Sequence, residues 1–177
     1  MRLLYLLNVS NASQLSADSG FTVAELLSRA FLDCGVEVTV ASPVPVSDAR
    51  AQYLPMPSPP TKYRARFEPG MDDLLAAIRA AHPDVVVANQ IEAAPAVRAA
   101  LLEARIDAQV VGYCHYLPFF FTEDRQLTVD PAMDNAGLGR PVMLAFAAGL
   151  AACDRVLVHS ATAASGLRRR PPGWAWT

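Results

Sequence analysis

Pro83-Asp84-Val85-Val86-Val87-Ala88-Asn89-Gln90-Ile91-Glu92 is the stretch on which the reading of this chain turns. A short aliphatic run ends abruptly in two amides and a carboxylate. Upstream, Leu74, Leu75, Ile78 and Ala81 recur at helical spacing between Met71 and Ala81, and Pro83 stops that helix. Downstream, the segment from Glu92 to Arg105 reads as helix, with Pro95 tolerated because it lies in the first turn. The run from Asp84 to Ala88 is uniformly apolar rather than alternating, so a strand here has both faces covered, as in a parallel sheet sandwiched by helices.

The same unit recurs along the chain. Leu3 to Leu7 runs into Asn8, Val9 and Ser10; Gln109 to Cys114 runs into His115 and Tyr116; Arg155 to Val158 runs into His159 and Ser160. Val36 to Ala41 forms a further strand directly after a helix from Thr22 to Cys34. Val23, Leu27, Ala30, Phe31 and Cys34 share one face of that helix, Glu25 and Arg29 form an i,i+4 pair, Thr22 and Glu25 have capping-box spacing, and Gly35 ends it. Tyr53 to Met56 makes a short strand that Pro55 confines to a sheet edge. Pro141 opens a helix reaching about Cys153, and Ser160 caps a short final helix that Pro171-Pro172 ends. Strand and helix alternate throughout, so the expected fold is α/β, a Rossmann-like three-layer sandwich with a mostly parallel sheet and right-handed crossovers. Two stretches break the rhythm: 42–69, which holds half of the 14 prolines, and 116–138, longer than an ordinary connection. In such a sheet, ligands bind in the crevice beyond the carboxyl ends of the strands, which is where the polar residues gather.

Composition narrows the function classes. A chain of 177 residues, 53% hydrophobic and 18% charged, suits one globular domain with an ample core. A formal charge of −2 gives no electrostatic reason to expect nucleic acid, and no apolar stretch approaches the roughly 18 residues of a membrane span. The apolar part of Met1 to Leu7 is too short for a signal peptide and reads as the first strand. Cys34, Cys114 and Cys153 are an odd count without metal-like spacing; Cys34 and Cys153 read as core positions in a reduced, cytoplasmic protein.

Several chemistries are excluded or disfavoured by pattern. The turn after the first strand lacks G-x-G-x-x-G, the second strand ends in Ala41-Ser42 rather than a ribose-binding acid, and no P-loop is present. Cys114 and His115 are adjacent on one strand and point to opposite faces, so they form no dyad. His82, His115 and His159 show no zinc spacing with the cysteines, and no nucleophile elbow supports a triad of Ser10, His115 and Asp18.

Asp18-Ser19-Gly20 entering a helix, Leu26 to Phe31, and Gly35 to Val40 resemble the N-terminal domain of GT-B glycosyltransferases, the family 4 type in particular. Leu74 to Arg79 with Pro83 to Ala88, the strand-end His115 in Tyr113-Cys114-His115-Tyr116, and Ala151 to Ser160 extend that likeness over most of the chain in the right order. The resemblance implies one half of a two-domain enzyme that moves a sugar from a nucleotide-sugar donor to a small or lipid-like acceptor, with no metal or other cofactor. It implies that residues 1–170 form the acceptor-side domain and that 171–177 are a tail or the start of an interdomain linker. The donor-binding domain is then absent, present either in a longer chain or as a separate polypeptide, and the isolated chain is expected to be inactive. By the same resemblance His115 is the catalytic candidate, Asp18, Asn89, Gln90, Glu92 and Tyr116 face the acceptor, and Ser19, Gly20 and Ser160 face the donor. The family's Gly-Gly pair before the first helix is here Asp18-Ser19, and Asp18 opposes a phosphate at that helix end.

Four of these residues also have a purely structural reading. His115 can be a hydrogen-bonded strand-end residue, Asn89 or Gln90 a helix cap, and Ser160 a cap as well. Phe119-Phe120-Phe121 with Glu123-Asp124-Arg125 reads as an acceptor wall, a docking surface or buried core; Lys62, Arg64 and Arg66 as an anion contact or a solvated loop face. A sugar-nucleotide epimerase and a non-catalytic auxiliary subunit of a split transferase are the alternatives to a transferase.

Overall fold

The computed structural model describes residues 1–7, 19–57, 70–115, 117, 119–121, 127–129 and 139–168. In chain order the elements are β1 (Arg2–Leu6), α1 (Ser19–Asp33), β2 (Glu37–Ser42), β3 (Gln52–Pro55), α2 (Met71–Ala81), β4 (Val85–Ala88), a 3-10 turn (Ile91–Ala93) running into α3 (Ala94–Ala104), β5 (Gln109–Cys114), β6 (Phe119–Phe121), β7 (Leu127–Val129), α4 (Gly139–Ala152), β8 (Arg155–Val158) and α5 (Ala161–Arg168). Six strands form one sheet in the order β3-β2-β1-β4-β5-β8, every pairing parallel. β6 and β7 pair antiparallel with each other. The order runs outward from β1 in one direction and restarts at β4 in the other, so the chain reverses its winding between these two strands.

The four central strands, β2, β1, β4 and β5, are largely apolar on both sides because both sides are covered. Leu4, Leu6, Val86, Ala88 and Val110 pack against Leu74 and Ile78 of α2 and Val97 and Leu101 of α3. Leu3, Tyr5, Leu7, Val38, Val40, Val87 and Val111 form the opposite face, against Ala24 of α1. A third cluster of Ile91, Cys114 and Phe146 joins the 3-10 turn, β5 and α4. α4 and the turn meet at closest range at Gly149, where an added Cβ would stand 2.7 Å from the carbonyl carbon of Ile91. Only glycine permits that approach.

Helix ends follow local rules. Val36 N donates to Phe31 O (3.0 Å) and Gly35 N to Leu32 O (2.9 Å), a Schellman closure with Gly35 at φ 76°. Arg105 closes α3 in the same way at φ 55°, despite carrying a side chain. Two aspartates one residue ahead of strands tie the amino edge of the sheet. Asp84 accepts from the Arg2 backbone N–H (2.7 Å) and its guanidinium (3.2 Å); Asp154 accepts from Val110 N–H (2.7 Å) and Arg98 (2.7 Å). Those hydrogen bonds hold both carboxyls below the usual carboxylate range, the backbone donor contributing most in each.

Several expectations are corrected here. α1 begins at Ser19 rather than Thr22, so Thr22 lies inside the helix and the capping box does not form. The Glu25 carboxylate accepts from Ser47 N–H (2.8 Å) on the loop after β2 instead of meeting Arg29. Cys34 is exposed, because the helix ends at Asp33 and the chain turns there. The stretch 116–138 is not wholly irregular, since β6 and β7 lie within it. Helical structure after β4 starts as the 3-10 turn before α3 takes over at Ala94. The edge position of β3, with Pro55 at its end, is as the sequence predicts.

Candidate functional site at the carboxyl edge of the sheet

The winding reverses between β1 and β4, and doubly wound sheets as a class take their ligands at such a point. Asn89 stands immediately beyond β4, and its backbone N–H donates to Leu6 O (3.0 Å), carrying the pairing one residue past the strand. Its side chain is almost fully buried, 1% exposed. The Tyr5 hydroxyl donates to Asn89 Oδ1 at 2.7 Å. Period two explains the meeting. Tyr5 pairs with Val87, two residues before Asn89, so both side chains stand on the face covered by α1. Burial drives the Tyr5 phenol far above its ordinary pKa, with a smaller push from Tyr113, so it stays a neutral donor. The other amide atom, Asn89 Nδ2, is buried without a hydrogen-bond partner among the described residues, as is Gln90 Oε1.

His115 follows β5 and is half-buried, with its Nε2 enclosed. Its ring meets that of Tyr113 edge to face, with centroids 4.4 Å apart and planes at 70°. Because Ala88 pairs with Gly112, Asn89 is level with Tyr113 and His115 lies two residues further out on the same face. With strands about 4.8 Å apart and about 3.3 Å of rise per residue, Asn89 and His115 are separated by about 8 Å along the backbone lattice. Cys114 points the other way, buried against Ile91 and Phe146, so the exclusion of a cysteine–histidine dyad holds. Burial pushes the Cys153 thiol up to about 12, which leaves it an unreactive packing group.

The remaining candidates separate into four groups. Glu92 is buried in the 3-10 turn, whose backbone lies against α4 at Gly149. Ser160 caps α5, its Oγ accepting from Ala163 N–H at 3.1 Å, which matches the capping alternative and leaves the hydroxyl proton available to donate. Ser19 and Gly20 are the first two residues of α1, whose first turn carries no acidic residue. Asp18, Tyr116, Lys62, Arg64, Arg66 and the side chains of Phe119, Phe120 and Phe121 lie outside the described residues. Among the described residues there is no group of three or more His, Cys, Asp or Glu positioned to hold a metal ion, and no helix long and apolar enough to cross a membrane.

Tyr5 and Tyr113 escaped sequence reasoning because each sits inside an apolar run. The available signal was a phenol among aliphatics, since a buried hydroxyl requires a partner at the end of its ring.

No curated protein matches the chain. A family model described as Glycosyltransferase Family 4 matches residues 21–172, a span that contains β2 through α5 and with them Asn89, Glu92, His115 and Ser160. The match thus takes in most of this Rossmann-like chain, and the chain belongs to Glycosyltransferase Family 4.

Proposed function

We propose that the carboxyl edge of this sheet is the acceptor-side wall of a glycosyltransferase cleft, working with a donor-binding half to move a sugar from a nucleotide-sugar to a small or lipid-like acceptor. The observation that carries this reading is the buried Asn89 amide, whose Nδ2 has no partner among the described residues, on the same face as His115 and at the point where the sheet reverses its winding. In this reading Asn89, Gln90 and Glu92, together with Asp18 and Tyr116, contact acceptor hydroxyls. Ser19, Gly20 and Ser160 lie toward the donor. His115 orients the attacking hydroxyl or stabilises charge developing at the transferred sugar. Transfer needs both substrates fixed in reacting geometry with water excluded, and one wall of a cleft does neither alone.

The test is sugar transfer by the chain with and without a donor-binding half supplied in trans. Transfer is expected only in the mixture, and His115→Ala lowers it by about 10²- to 10⁴-fold, the range for losing a positioned acid–base group. Full transfer by the chain alone, or unchanged transfer in His115→Ala, refutes the reading. Leaving out the acceptor is the internal control: donor consumption without acceptor would identify an epimerase.

A further inference from the structure

Tyr5 lies within β1, is fully buried and belongs to none of the strand-end polar residues, yet its hydroxyl terminates on Asn89. A buried phenol that keeps its proton needs an acceptor, and Oδ1 is the only acceptor atom on an asparagine amide. Turning the amide over would leave the phenol proton and Oδ1 both without partners, and each such loss is costly in a buried setting. Tyr5 therefore dictates which end of the Asn89 amide faces back along β1. Nδ2 diverges from Cγ on the other side, away from Tyr5, where its protons have no partner among the described residues.

We propose that Tyr5 is a positioning residue that locks the Asn89 amide with its donor end presented to the groove, so that this point of the site takes a neutral acceptor oxygen of a hydroxyl-bearing ligand. The inference rests on the groove reading given above and adds to it the polarity of one contact and the residue that enforces it. Asn89 alone would be ambivalent, since an unrestrained amide turns to offer either an acceptor or a donor. Held by Tyr5, it offers N–H only.

The experiment uses the full 177-residue chain labelled with ¹⁵N, following the side-chain NH₂ pair of Asn89 by NMR. The probes are methyl α-D-glucopyranoside, for neutral hydroxyl oxygen, and inorganic phosphate, for anionic oxygen. In the wild-type chain the Tyr5 hydroxyl proton is expected to exchange slowly, and the glucoside to shift the NH₂ pair. In Tyr5→Phe the same pair broadens and the apparent Kd for the glucoside rises about fivefold to tenfold, the loss of one net hydrogen bond's orientation. An unchanged Kd in a folded Tyr5→Phe overturns the positioning role and leaves the groove reading standing. A rapidly exchanging Tyr5 hydroxyl in the wild-type chain overturns it whether or not the variant folds. A response to phosphate alone overturns the neutral-oxygen assignment. No response to either probe at Asn89 brings down the groove reading and the inference together.

Discussion

Asp154→Ala should destabilise the fold from the edge opposite the candidate site, and the effect should fade in acid. The carboxylate accepts from the backbone N–H of Val110, a fully buried residue of β5, and from Arg98 of α3, whose guanidinium also donates to Ala152 O at 2.9 and 3.1 Å. Removing it orphans the Val110 N–H and leaves Arg98 with a carbonyl partner only. Hydrogen bonds to a charged acceptor contribute about 1.5–3 kcal/mol each. The Asp154 side chain is 44% exposed, so solvent screening brings the total to about 2 kcal/mol. For a domain of this size that lowers Tm by about 4–8 °C. The pH dependence follows from the direction of the shift. The folded carboxyl titrates below its unfolded value of about 3.9, so the stabilisation is complete above that pH and disappears as pH falls through the lower, folded value. Urea unfolding of wild type and Asp154→Ala between pH 7 and the acid limit of folding should show a constant gap down to about pH 4 that then closes. A gap below about 0.5 kcal/mol at pH 7, or one that persists unchanged in acid, would refute the account.

Three further outcomes test the packing. Gly149→Ala places a Cβ 2.7 Å from the Ile91 carbonyl carbon and 3.1 Å from Glu92 Cα, both backbone atoms, and should cost about 1–3 kcal/mol in urea unfolding while shifting the Glu92 amide resonance. Ser28→Ala removes a fully buried hydroxyl of α1 that has no hydrogen-bond partner among the described residues, and should raise the urea midpoint by about 1 kcal/mol equivalent; a loss of stability would reveal a partner for that Oγ. Arg105→Gly relieves a side chain held at φ 55° in an exposed Schellman turn and should stabilise by about 0.5–1 kcal/mol, read as a higher Tm.

The amino-acid sequence by itself determined the layers and which residues lie at the carboxyl edge of the sheet. Val85 to Ala88, Val110 to Cys114 and the apolar run of β1 are legible as doubly covered strands because burial on both faces abolishes alternation, whatever their neighbours are. Residues just past such strands, Asn89 and His115 among them, necessarily lie at the carboxyl edge. Local signals failed where a tertiary partner outcompeted them. Glu25 reaches the backbone of Ser47, 22 residues away, because the loop after β2 folds back onto α1, and no capping pattern foresees that. Only the tertiary structure decided which strand lies beside which. Register between β1 and β4 brings Tyr5, 84 residues distant in the chain, onto Asn89 and so turns an aliphatic-looking strand position into part of the candidate site. Hydrophobic periodicity encodes which face a side chain occupies; strand order and register, which fix what it meets there, come from the packing of the whole sheet.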